Sequence, residues 1–218
     1  MTVPAPLRIA HRGLPSLATE NTLSSFSLAL SAGADGIELD VHATADDVIV
    51  VHHDAELSSG SAIRASAFAD ISREMPELPT LRDVCALIDG RAELFVEIKG
   101  LGIEASVAEL LDGYAGPAAI HSFDHDLIQR LSRRGTSRRL GVLIEDGSVD
   151  FIELMRRTGA SDLWPHHTLV SAHLVASVHV FGGRVIPWTV NAQQDIERVI
   201  ALGVDGICTD DVRTLPGA

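Results

Sequence analysis

The stretch Gly36-Ile37-Glu38-Leu39-Asp40-Val41-His42 alternates apolar and polar residues with a period of two. Successive side chains of a strand point to opposite faces. Ile37, Leu39 and Val41 therefore share one face, and Glu38, Asp40 and His42 share the other. A half-exposed strand with a polar outer face fits this pattern. So does a barrel strand whose apolar face packs under helices while its carboxylates face the interior. In that second case two inward carboxylates repel each other and are costly to desolvate, and a divalent cation resolves both problems.

Val96-Glu97-Ile98-Lys99 favours the second reading. Again a carboxylate sits in a short apolar strand, with a lysine two residues on along the same face. At the strand ends of a barrel, Glu38, Asp40 and Glu97 converge, and three carboxylates with water suit a hard ion such as Mg²⁺ or Ca²⁺. Lys99 is then available to an anionic group, with a salt bridge to Glu97 as the plainer alternative.

Outward from these two segments, short apolar runs alternate with helical patterns. The predicted strands are Leu7–Ala10, Asp35–His42, Val48–His52, Glu93–Lys99, Ala118–His121, Leu140–Ile144, Asp162–Trp164, Arg184–Val190 and Gly206–Cys208. Predicted helices over Asn21–Ala32, Leu81–Ile88, Ala105–Leu111, Asp124–Ser132, Val149–Arg157, Leu169–Val178 and Ala192–Leu202 lie between them. In the first helix Leu23, Phe26 and Leu30 are expected on one face, with Gly33 as a stop signal. Such alternation implies βαβ units and a parallel sheet. Nine strands are one more than a (β/α)8 TIM barrel needs. The surplus one is either Asp162–Trp164, which is weak, or Val48–His52, which no helix precedes. A doubly wound sheet is the alternative, but Gly100-Leu101-Gly102 lacks the third glycine of a dinucleotide-binding turn. The chain is read as one domain, with a long irregular segment at about 55–79 as a functional excursion or small subdomain.

The C-terminal ends of barrel strands are where catalysis is placed. His11-Arg12-Gly13 follows the first apolar run, so Arg12 is positioned to hold a phosphate and His11 to transfer protons. Val50-Val51-His52-His53 repeats the theme, and two histidines supply a general base and a general acid. Taken alone, His11-Arg12 reads first as a polar surface loop, and His52 or His53 as a structural histidine. Trp188 is a candidate wall for the substrate, or core.

Hydrophobic residues make up 46% of the chain and charged residues 22%, a globular balance that excludes disorder. The net charge of −13 disfavours nucleic acid and anionic membranes, so an anionic substrate must be drawn by local charge. Cys85 and Cys208 form no motif, and each reads as a small buried hydrophobe in a reducing compartment. Met1–Pro6 lacks a basic region followed by an apolar run, and no stretch reaches membrane-span length. The protein is expected to be cytoplasmic, without a membrane anchor. Its oligomeric state has no sequence signal.

The ordered series His11-Arg12-Gly13, Glu20-Asn21-Thr22, Glu38-Leu39-Asp40-Val41, His53-Asp54, Leu78-Pro79-Thr80-Leu81, Glu97-Ile98-Lys99, Ser122-Phe123-Asp124, Trp188-Thr189-Val190-Asn191 and Gly203–Asp210 resembles the glycerophosphodiester phosphodiesterase family. The resemblance spans nearly the whole chain. It implies a TIM barrel that hydrolyses glycerophosphodiesters to glycerol 3-phosphate and an alcohol. It also implies one divalent cation, Mg²⁺ or Ca²⁺, on Glu38, Asp40 and Glu97. It implies catalysis by His11 and His53, and phosphate binding by Arg12 and Lys99. The segment at about 55–79 falls where the family carries an insertion. Thr19 and Asp46-Asp47 depart from the family's usual Pro and Asp-Gly, both in turns. Competing expectations are a phospholipase D-like activity on lysophospholipids and a barrel that binds phosphate esters without turnover. His52, His121 and His125 are expected near the mouth; His166, His167, His173 and His179 are expected to be structural.

Overall fold

Strand β2 (Gly36–Ala43) is buried along its whole length and has three neighbours. It lies parallel to β1 (Leu7–His11) and β4 (Glu93–Ile98), and antiparallel to the short β3 (Ile49–Val51). The computed structural model that carries this arrangement describes residues 5–216. Met1–Pro4, on which most of the leader expectation rests, lie outside the described residues. The sheet continues through β5 (Ala118–Ser122), β6 (Arg139–Ile144), β7 (Asp162–Pro165), β8 (Arg184–Val185) and β9 (Gly206–Thr209) in the order β8-β7-β6-β5-β4-β2-β1-β9, all parallel. Backbone hydrogen bonds join its two ends: Asp205 N to Val185 O (2.9 Å), Cys208 N to Pro187 O (3.0 Å) and Val190 N to Cys208 O (2.9 Å). Eight parallel strands thus form a TIM barrel. The surplus strand is β3, a hairpin arm off the end of β2.

The β2–β3 turn keeps its shape without glycine. Asp47 takes the left-handed conformation at φ +61°, and its carboxylate accepts from Arg64 at 2.9 Å. Strand β8 is shorter than the predicted Arg184–Val190 because Pro187 has no N–H for the ladder.

Helices α1 (Leu23–Ser31), α3 (Leu81–Ile88), α4 (Glu104–Asp112), α5 (His125–Arg134), α6 (Phe151–Thr158), α7 (Ala172–Phe181) and α8 (Gln193–Ala201) ring the barrel. Side-chain oxygens of Thr22, Thr80, Asp124, Asp150 and Ser171 accept from the first turns of α1, α3, α5, α6 and α7. The buried face of α1 is Ser25, Phe26 and Ala29, with Leu30 packed alongside. Leu23, expected on the same face as Phe26, is 37% exposed in the first turn of the helix.

Two apolar layers result. Ile37, Leu39, Val41, Val96 and Ile98 pack outward under the helices. Ile9, Phe95, Ala119, Leu143, Trp164, Ile186 and Cys208 fill the barrel interior. Gly36 makes the second layer possible, since a Cβ there would stand 2.6 Å from the Phe95 ring. The segment at 55–79 holds a short 3-10 turn (Ile63–Ala65) and helix α2 (Phe68–Glu74). Its Leu57, Ile63, Ile71 and Leu78 close on Val50 as a separate small core, with Phe68 and Met75 against it.

Candidate active site

Strand alternation delivers the polar face of β2 to the barrel mouth. Glu38 and Asp40 are 3% and 0% exposed, and Glu97 from β4 is 7% exposed. Asp40 and Glu97 are lateral partners in the sheet. A pocket of about 270 Å³ opens over them. His11, Arg12, Glu38, His53, Glu97 and Lys99 line it, backed by His121, Phe123, Glu145, Trp164 and Trp188.

Arg12 is locked by its turn. Its backbone is left-handed at φ +57°, and its N–H donates to Glu38 O at 3.0 Å. A methyl on Gly13 would overlap the Ser25 side chain, whose hydroxyl donates to Arg12 O at 3.2 Å. The guanidinium lies 2.9 Å from Glu20 and 3.0 Å from Asp40. Lys99 Nζ lies 2.9 Å from Glu97 and 3.5 Å from Asp40. Burial opposes a charge on Asp40, but Arg12, Lys99 and an Asn21 hydrogen bond at 2.9 Å hold its carboxyl below the usual carboxylate range. The deficit falls on Glu97. Burial, and then the charge of Asp40, push it up to about 7 against the pull of Lys99.

Each expected histidine has a carboxylate partner. His11 Nδ1 is 2.7 Å from Asp210 Oδ1, and its Nε2 is 4.0 Å from Glu38. Burial alone would lower the His11 pKa; the Asp210 hydrogen bond and the Glu38 charge outweigh it, and the pKa is raised. His53 Nδ1 is 2.7 Å from Asp54 Oδ1. His42, on the same face as the carboxylates, donates from Nε2 to His53 O at 3.1 Å and so braces that loop. Burial lowers its pKa. Trp188 donates to Trp164 O at 3.0 Å and meets Phe123 edge to face at 5.4 Å, with His166 against it at 5.5 Å.

Sequence reasoning left Asp210, Glu20 and Asn21 without roles, although all three stand in the quoted motifs. It placed His121 only near the mouth. The structure buries His121 beside Glu38 and Glu97, where one ligand atom from each lies within 4.8 Å of the others. The alternation rule that turned Glu38 inward does the same here, because Ile120 packs outward.

Two observations fit a divalent ion to these residues. Asp40 Oδ1 is buried with no hydrogen-bond partner. Three carboxylates also face only two fixed cations, an imbalance that a dication reverses.

Buried carboxylates, carboxylate-paired histidines and two cations at a barrel mouth are the groups that chemistry on a phosphate ester calls for. Comparison with known proteins narrows that chemistry. The sequence model of the Glycerophosphoryl diester phosphodiesterase family matches residues 11–214. A glycerophosphodiester phosphodiesterase of Caldanaerobacter subterraneus is 32% identical over 96% of each chain. The crystal structure of a putative glycerophosphoryl diester phosphodiesterase from Silicibacter pomeroyi superposes with a TM-score of 0.88 at 26% identity, covering 97% of this chain and 92% of that one. A glycerophosphodiester phosphodiesterase structure from Thermotoga maritima gives 0.87 at 26%, covering 96% and 97%. The chain belongs to the glycerophosphoryl diester phosphodiesterase family and is an enzyme of that class. Among the described residues no helix is long and apolar enough to cross a membrane.

Proposed function

We propose that this protein hydrolyses small glycerophosphodiesters to glycerol 3-phosphate and an alcohol, using a divalent cation and two histidines. The observation that carries the reading is the convergence of His11, Arg12, Glu38, His53, Glu97 and Lys99 on one pocket. Glu38, Asp40 and Glu97 are the proposed cation ligands. A cation bound there supplies Lewis-acid stabilisation of the phosphoryl oxygens. Arg12 and Lys99, already charged and held in place, bind the phosphate and offset charge that develops in the transition state.

His11 is assigned as the general acid. Asp210 fixes its Nδ1 and favours the imidazolium, leaving Nε2 to deliver a proton to the departing alkoxide. His53, oriented by Asp54, is the base that takes a proton from the attacking hydroxyl or water. Replacing Asp210 with Asn tests the assignment. The acid must be protonated to act, so the alkaline limb of the pH–rate profile reports its pKa. Asp210→Asn removes an interaction that raises that pKa, so the alkaline limb is expected to move to lower pH. An unmoved limb would contradict the role given to His11.

Phospholipase D-like action requires an apolar surface for an acyl chain. Ile63 and Ile71 of the 55–79 segment are instead buried, and Phe68 and Met75 pack against them. The distinguishing experiment compares glycerophosphocholine and glycerophosphoethanolamine with lysophosphatidylcholine. Release of glycerol 3-phosphate from the first two, at higher kcat/KM than turnover of the third, is the expected result. The reverse order would replace this reading with the lipid one. Binding without turnover of any of the three would favour a non-catalytic barrel.

A further inference from the structure

His121 is 1% exposed inside the barrel mouth. Its Nδ1 has no hydrogen-bond partner. Its Nε2 stands 3.7 Å from Glu38 Oε1, beyond hydrogen-bond reach. With neither ring nitrogen hydrogen-bonded, the imidazole forfeits solvation without compensation; an ion would restore a partner to Nε2, the nitrogen that faces Glu38, while Nδ1 stays unpaired. The 3.7 Å gap is within the span of two metal–ligand bonds of about 2.1 Å each.

The ring is built into place. It stacks on Trp164 with centroids 4.4 Å apart and planes 14° from parallel. Gly141, its lateral partner on β6, makes room for the pair, since a Cβ there would lie 3.0 Å from Trp164 and 3.1 Å from the His121 Cβ. On its other side His121 is the lateral partner of Glu97, which in turn partners Asp40. Three neighbouring strands thus present Asp40, Glu97 and His121 in one row, with Glu38 beside it.

We propose that His121 is a nitrogen ligand of the active-site cation, in addition to Glu38, Asp40 and Glu97, and that this donor set selects a first-row transition ion such as Mn²⁺, Co²⁺ or Zn²⁺ over Mg²⁺ and Ca²⁺. The proposal rests on the cation reading above. Carboxylates alone suit Mg²⁺ and Ca²⁺, whereas an imidazole shifts preference toward the later first-row ions.

The test is calorimetric titration of metal-stripped protein with Mn²⁺, Zn²⁺, Mg²⁺ and Ca²⁺, for the parent, His121→Phe and His121→Gln. His121→Phe keeps a ring against Trp164, and His121→Gln covers the case in which the larger ring disturbs folding. The parent is expected to bind Mn²⁺ and Zn²⁺ more tightly than Mg²⁺ or Ca²⁺. Loss of the imidazole is expected to weaken Mn²⁺ and Zn²⁺ by at least the roughly 10–100-fold seen when outer partners of a metal ligand are removed. Mg²⁺ binding should move little. Pulsed electron paramagnetic resonance of the Mn²⁺-loaded parent should show imidazole ¹⁴N coupling that persists in His11→Ala and His53→Ala and disappears in both His121 variants. Unchanged Mn²⁺ affinity and ¹⁴N coupling in the His121 variants would overturn the proposal and leave the carboxylate site standing. No binding of any of the four ions would overturn both.

Discussion

His11→Ala is expected to slow glycerophosphodiester hydrolysis by about 10²–10⁴-fold, the usual contribution of a positioned proton donor. The same variant should lose far less on a p-nitrophenyl phosphodiester, whose leaving group departs without a proton. An alkoxide is a poor leaving group, so the acid matters in proportion to the basicity of the departing oxygen. His53→Ala should be slowed to a comparable degree on both substrates, because the base acts on the attacking oxygen. The measurement is kcat on the two substrates for the parent and both variants. If p-nitrophenyl release rescues His53→Ala and not His11→Ala, the two roles are exchanged. If neither variant is impaired, the two-histidine scheme fails.

The second large effect lies at the opposite end of the barrel. Arg184 reaches across the strand starts to Glu93, with two contacts of 3.0 Å, and to the fully buried Asp162 at 2.7 Å. Its guanidinium lies 5.5 Å from the Phe95 ring. Arg139 also contacts Asp162 at 2.5 Å. Arg184→Met keeps the length of the side chain and removes the charge, so Glu93 loses its partner and Asp162 keeps only one. Removing one partner of a buried ion pair costs about 3–5 kcal/mol, and the low end, about 3 kcal/mol, applies because Arg139 remains. Urea denaturation should show that loss while kcat/KM of the folded fraction stays near the parent value. A variant as stable as the parent would contradict this account of the barrel floor.

Much of the fold was legible because strand alternation and helix periodicity are local. Glu38 and Glu97 turned inward as their neighbours' hydrophobicity required. What local pattern could not show was lateral register. His11 and Asp210 are 199 positions apart and meet only because β9 closes on β1. His121 follows the same alternation as Glu38, yet a single histidine in a short strand gives no hint that Glu97 is its neighbour until the sheet order is known. The surplus strand had the same cause: Ile49–Val51 reads like any barrel strand, and only its antiparallel pairing with β2 separates it from the other eight. For Asp40 the sequence placed a carboxylate at the mouth, and the structure adds the cations and amide that hold it ionised.

The most direct test of the central claim is glycerol 3-phosphate release from glycerophosphocholine by protein stripped with EDTA and verified metal-free, before and after a divalent cation is returned. The account predicts no release from the stripped protein and recovery on addition of the ion. Undiminished release from verified metal-free protein would contradict the cation's role, and no release from folded, metal-replete protein would contradict glycerophosphodiester hydrolysis itself.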